Sequence, residues 1–161
     1  MSFEESLVLQ IMRAVNAVHL DAIVIGNASV ALQGLPITTQ DIDLFVRETP
    51  RNDEKIDQFR RSLGEHLVAS RPFEPVSRMI RIEGWAIDID LVFELSSHES
   101  FESIRARSKI VTIDGVPIRL ANLADVIAAK RAAGRPKDLA ALPLLEQFFQ
   151  VQQAIVGPGN P

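Results

Sequence analysis

The sequence predicts an α+β fold, a mixed β-sheet flanked by helices, and three observations carry that expectation. Apolar residues recur at helical spacing in separated segments, as in Phe3, Leu7, Ile11, Val15 and Val18. Short strand-forming runs lie between these segments, and two pairs of runs meet at turn dipeptides, Glu83-Gly84 and Asp114-Gly115. Helices and strands are interspersed with hairpins, which favours a mixed sheet over a doubly wound parallel one.

Each element has a local reason. Ser2 and Glu5 fit a capping box, so a first helix is expected over residues 3–18. Ala22 to Ile25 is a short apolar run suited to a buried strand. Gly26-Asn27 turns the chain into a brief helix that Gly34 and Pro36 close. Asp41 to Val46 is the next strand, and Glu48 to Asn52 is a polar break. Ile56, Phe59, Leu63 and Leu67 then place a helix over residues 54–68. Residues 77–82 and 85–93 are two strands joined at Glu83-Gly84, and a helix covers residues 100–107. Lys109 to Ile113 and Val116 to Leu120 form a hairpin, and Pro117 predicts that the second of these strands is a sheet edge. Leu123 to Ala133 is helical and Gly134 ends it. Pro136 suits the first turn of a last helix running towards Phe149, which Pro143 is expected to kink or split. A single domain over residues 1–150 is expected, with residues 151–161 a disordered tail.

Composition narrows the chemistry. With 47% hydrophobic and 24% charged residues, a chain of 161 residues is expected to be one globular domain. It has no cysteine, which excludes disulfides, thiolate zinc sites and a cysteine nucleophile. His19, His66 and His98 are scattered and form no ligand spacing, so a bound metal would be held by oxygen, as Mg²⁺ and Mn²⁺ are. The first residues carry acids where a signal peptide needs bases. No apolar run approaches membrane-spanning length, so a cytoplasmic protein is expected, without a membrane partner. A net charge of −4 argues against general coating of nucleic acid and leaves room for a local basic patch.

Two strands raise a question of cost. Asp41-Ile-Asp43 and Asp88-Ile-Asp90 both lie inside strand-forming runs. On a strand, residues i and i+2 share a face roughly 7 Å apart, so each pair projects together while Ile42, Leu44, Ile87, Ile89 and Leu91 face the other way. Adjacent carboxylates repel, and partial burial raises their pKa values. Two divalent ions about 4 Å apart would relieve that repulsion and clamp a phosphoryl group. A solvated strand face would also accommodate a single Asp-x-Asp. The second acidic strand and the Gly26 turn shift the balance towards a site, because a glycine after a buried strand lets the backbone approach a phosphate.

At these residues the chain resembles the DNA polymerase β-like nucleotidyltransferase superfamily. The matching stretches are IVIGNASVALQGLP, TTQDIDLFV and AIDIDLV. The run LADVIAAKRAAGRPKDLAALPLLE is similar to a segment of bacterial small nucleotidyltransferase-like proteins, including the abortive-infection (AbiE-type) toxin group. The resemblance covers roughly residues 20–148 and implies a sheet of polymerase β palm type. It implies that Asp41 and Asp43 hold the metals with Asp90 as third carboxylate, and Asp88 is its competitor. It makes Gly26 the first turn residue, Lys130 a nucleotide-phosphate contact and Asp138 the acid that follows it. Asn27 stands where Ser or Gly is usual, and Ile37 where relatives often carry Arg. The expected activity is transfer of NMP from an NTP to a hydroxyl of RNA, protein or a small molecule, with Mg²⁺ or Mn²⁺. A toxin neutralised by an antitoxin protein is one biological setting the resemblance implies. The two departures motivate an alternative, a catalytically inactive nucleotide- or partner-binding module. A metal-dependent phosphohydrolase would need the same carboxylates.

The remaining polar residues have plainer readings. Lys130, Arg131, Arg135 and Lys137 form the densest basic cluster, and cations suit helix C-termini. Ser29 and Asn27 are candidates to hydrogen-bond a nucleotide, although Ser29 and Thr39 fit equally well as local caps. Trp85 is expected to pack on the sheet, and the three His residues to lie at the surface.

Overall fold

A computed structural model describes residues 3–37, 39–71 and 78–156. In chain order the elements are α1 (Phe3–Ala17), β1 (Ala22–Ile25), α2 (Gly26–Leu32), β2 (Asp41–Val46), α3 (Pro50–Leu63), β3 (Val68–Ser70) and β4 (Met79–Glu83). They continue as β5 (Asp88–Val92), α4 (Phe101–Arg107), β6 (Lys109–Ile113), β7 (Val116–Leu120), α5 (Leu123–Ala133) and α6 (Pro136–Val156). One seven-stranded sheet has the order β3-β4-β5-β2-β1-β7-β6. It is mixed, because β1 runs parallel to β7 and β2 parallel to β5 while the other neighbours are antiparallel. The predicted fold class holds.

Both faces of the sheet are covered, as strand alternation requires. Ile42, Leu44, Ile89 and Leu91 point into a core closed by Val8, Ile11, Met12 and Val15 of α1 and by Ile56 and Phe59 of α3. Ile23 and Phe45 point the other way, into a second core with Val30 of α2, Ile104 of α4, Val126 of α5 and Leu145 of α6. The aspartates of β2 and β5 share this second face, so they sit at the margin of a core. Among the described residues no helix is long and apolar enough to cross a membrane.

Several boundaries differ from the sequence expectation. The polar stretch before α3 is its cap: Thr49 accepts a hydrogen bond from the Asn52 amide at 3.2 Å, and Pro50 starts the helix. That helix ends at Leu63, not at residue 68. Leu67 is buried, but Val68 to Ser70 form the exposed edge strand β3 against β4. Trp85 is not in a strand; residues 84–87 make a bent connection, and Trp85 packs against the first core as expected. Pro117 does not mark an edge, since β6 is the outer strand and β7 lies inside. The reason is local: β7 meets β1 only at Leu120, and the Pro117 carbonyl accepts instead from Asn16 Nδ2 at 3.0 Å.

Pro143 neither splits nor ends α6, which runs on to Val156 through the start of the expected tail. Pro143 is exposed, while buried Leu142 and Leu145 anchor the helix to the second core on either side of it. The proposed capping box at Ser2 and the last five residues, 157–161, lie outside the described residues.

Candidate active site

Register builds the acidic cluster. β2 and β5 pair in parallel with Asp41 opposite Asp88 and Asp43 opposite Asp90. All four carboxylates therefore share one face, and Asp41, Asp43 and Asp90 each bring an oxygen to within 4.8 Å of the others. Asp88 is exposed and lies outside this trio.

β1 delivers the glycine turn to the same place. Ile25 pairs with Asp43, so the next residue, Gly26, lies beside that carboxylate. A Cβ on Gly26 would come 3.0 Å from Asp43 Oδ2, and φ is +63°, in the left-handed region. Gly26→Ala is expected to cost about 1–2 kcal/mol of stability through backbone strain. By displacing Asp43 it should lower turnover about 10²-fold, a loss out of proportion to the melting shift. Paired melting and rate measurements check this.

The cluster is electrostatically strained. Burial, then the neighbouring charges of Asp41 and Asp90, push the Asp43 carboxyl up to about 7. Asp90 is buried and answers with a partner of its own: Arg81 of β4 donates from Nε to Oδ1 at 2.7 Å and from Nη2 to Oδ2 at 2.9 Å. A donor set of three carboxylates suits a hard divalent cation. This all-oxygen set, with Asp43 largely buried beside two further carboxylates, fits Mg²⁺ or Mn²⁺.

Across a cleft of about 720 Å³ stands a basic wall from the two last helices. Asn122 caps α5, accepting from the Asp125 amide at 2.7 Å, and Gly134 ends the helix in the left-handed conformation. The turn there brings Asp138, in the first turn of α6, to 3.8 Å from Lys130 Nζ. Arg135 Nε donates to Asp138 Oδ2 at 2.6 Å, which holds that buried carboxyl below the usual range against the opposing cost of burial. Burial lowers the Lys130 ammonium's affinity for its proton, an effect that Asp138 and Asp43 oppose. Lys130 thus presents a partly desolvated charge to the carboxylates.

The other expected contacts divide. Asn27 lines the cleft, and its Oδ1 is buried without a hydrogen-bond partner among the described residues. Ser29 does not reach the cleft: it is buried, and its hydroxyl donates to the Ala121 carbonyl at 2.7 Å, tying α2 to the chain entering α5. Ile37 packs against the second core. Arg131 pairs with Glu146, and His19, His66 and His98 are exposed. Arg81 has no counterpart in the expectations from sequence. Its signal was its place opposite Asp90, visible only once the register of β4 on β5 is known.

A mixed sheet thus sets a glycine turn beside an Asp-x-Asp strand and a third aspartate, all facing one cleft, the arrangement expected from the nucleotidyltransferase resemblance. The chain belongs to the family described as nucleotidyl transferase of unknown function (DUF2204), whose profile matches residues 4–156. Among solved structures it is similar to a Thermotoga maritima protein designated a nucleotidyltransferase, with 20% identity, a TM-score of 0.64 and 91% of this chain and 96% of that chain covered. It is also similar to ANT(2″)-Ia, solved in complex with adenylyl-2″-tobramycin, with 15% identity, a TM-score of 0.65 and 96% and 94% of the two chains covered. At these identities the likeness establishes the fold. No curated protein matches the sequence.

Proposed function

We propose that this nucleotidyltransferase moves a nucleoside monophosphate from an NTP to an acceptor hydroxyl, using divalent cations held by Asp41, Asp43 and Asp90. The observation that carries the reading is the convergence of those three carboxylates within 4.8 Å on the floor of a cleft faced by Lys130. Bound there, Mg²⁺ would offset charge on the reacting phosphoryl group and lower the pKa of the attacking hydroxyl. Gly26 leaves its backbone bare where the β and γ phosphates would rest, and Lys130 meets their charge from the opposite wall. Asn27 Oδ1, without a partner among the described residues, would accept from a nucleotide hydroxyl. The acceptor oxygen forms its bond to the α-phosphorus as the α–β bridging bond breaks, and pyrophosphate leaves.

The acceptor is RNA, a protein or a small molecule. Likeness to ANT(2″)-Ia, seen with an adenylylated aminoglycoside, supports the small-molecule class. The Lys130 to Asp138 segment supports a toxin restrained by an antitoxin protein, through its resemblance to the abortive-infection group. Growth arrest on expression without a partner, relieved by Asp43→Ala, is the expected sign of that role.

The reaction itself is tested by supplying each labelled NTP with Mg²⁺ and a cell extract. Label is expected on an acceptor, with pyrophosphate released and EDTA blocking both. Orthophosphate release would instead indicate a phosphohydrolase, and tight NTP binding without transfer would indicate an inactive binding module.

A further inference from the structure

Arg81 touches the acidic cluster directly and has a more specific task than packing. It stands opposite Asp90 in the β4–β5 pair, and its fork engages both oxygens of that carboxylate. The Asp90 side chain is 6% exposed, while the Arg81 side chain is 38% exposed and borders the cleft. A carboxylate offers about four lone-pair sites. Arg81 takes two at Asp90, and an Asp43 oxygen lies within 4.8 Å of the same group. A cation entering the trio therefore meets Asp41 with no ion pair among the described residues, whereas Asp90 already faces a positive charge.

We propose that Arg81 is a positioning residue that also competes with the divalent cation: its fork fixes the plane of the Asp90 carboxylate, and its charge keeps the nucleotide-free site from holding the ion tightly. The ion then enters together with the triphosphate, whose negative charge offsets the guanidinium. This inference rests on the cation reading above. A salt bridge serving only the fold would lower stability when broken and leave metal affinity unchanged or weaker. Competition predicts opposite effects, tighter ion binding and slower turnover in the same variant.

The test is Mn²⁺ titration without nucleotide, followed by electron paramagnetic resonance, beside steady-state rates for wild type, Arg81→Gln and Arg81→Lys. Arg81→Gln is expected to bind Mn²⁺ about tenfold tighter than wild type while kcat falls about tenfold or more. Arg81→Lys keeps the charge without the fork, so its Mn²⁺ affinity should stay near wild type while kcat still falls; this variant decides the matter should the Gln variant not fold. Equal or weaker Mn²⁺ binding by Arg81→Gln, or full kcat in Arg81→Lys, overturns the inference. Failure of every form to bind Mn²⁺, with nucleotide or without, instead overturns the cation site itself.

Discussion

Asp43→Asn is expected to abolish nucleotidyl transfer and to stabilise the protein at the same time. The activity loss should reach at least about 10³-fold, because the substitution removes one carboxylate of the proposed cation-binding trio. The stability gain follows from the sign of the pKa shift. In the folded protein the Asp43 carboxyl is pushed up to about 7 from the ordinary 3.8, first by burial and then by Asp41 and Asp90. Between those two values the folded state binds more protons than the unfolded state, so Asp43 makes stability fall as pH rises through that window. Below it the group is neutral in both states and contributes nothing. Asparagine keeps the shape but never ionises. Its advantage should be absent near pH 3.5, grow with pH and level off above 7, with about 4 kcal/mol as the ceiling set by the shift. Thermal melts across this pH range, without divalent ions, measure it. Millimolar Mg²⁺ should shrink the difference by stabilising wild type alone, and below pH 7 protons should compete with the ion.

Lys130→Met should separate nucleotide handling from folding. Lys130 Nζ lies 3.8 Å from Asp138, but that buried carboxylate keeps the closer Arg135 fork, with Nε at 2.6 Å. Methionine matches the length of the lysine stem, so the packing of α5 is retained. The melting temperature should change by only a few degrees. KM for the NTP should rise about 10–100-fold, as the proposed charge-assisted phosphate contact would be lost. Removing Asp138 instead should fail differently: the variant leaves Lys130 half-buried without its nearest acid, and stability should drop by about 3 kcal/mol. Steady-state kinetics and melts of both variants make the comparison.

The parts of the site that could be read from sequence are those fixed by strand periodicity. Asp41 and Asp43 occupy alternate positions in a run whose intervening Ile42 and Leu44 must be buried, so their shared facing follows from one strand; Asp90 joins them only through the register of β5 on β2. Gly26 stands out because a helix begins at once after a buried strand. Arg81 shows the limit. A two-residue turn at Glu83-Gly84 would pair Ile82 with Trp85 and so set Ser77 opposite Asp90. The actual pairing is Ile82 with Ile89, across a wider connection, and that brings Arg81 to Asp90. Turn length, which dipeptides only suggest, decided the contact.

Ser29 misled for a related reason. A hydroxyl one turn into a helix after a glycine bend serves equally as a ligand contact or a tertiary tie. The choice depends on Ala121, 92 residues away, whose carbonyl needs a donor. β3 was hidden because Leu67 continues the apolar spacing of α3 while belonging to the connection beyond it. Pro117 was placed at an edge by a rule that assumes a partner strand along its whole length, and β1 pairs with β7 only near Leu120.

The central claim is that the three aspartates form one cation site beneath the nucleotide. Crystals soaked with Mn²⁺ and a non-hydrolysable NTP, recorded at the manganese absorption edge, test it most directly. The account predicts an anomalous peak about 2.2 Å from oxygens of Asp41 and Asp43, with the triphosphate between Gly26 and Lys130. Nucleotide bound in the cleft with no manganese on either aspartate, or manganese ordered only elsewhere, would contradict it.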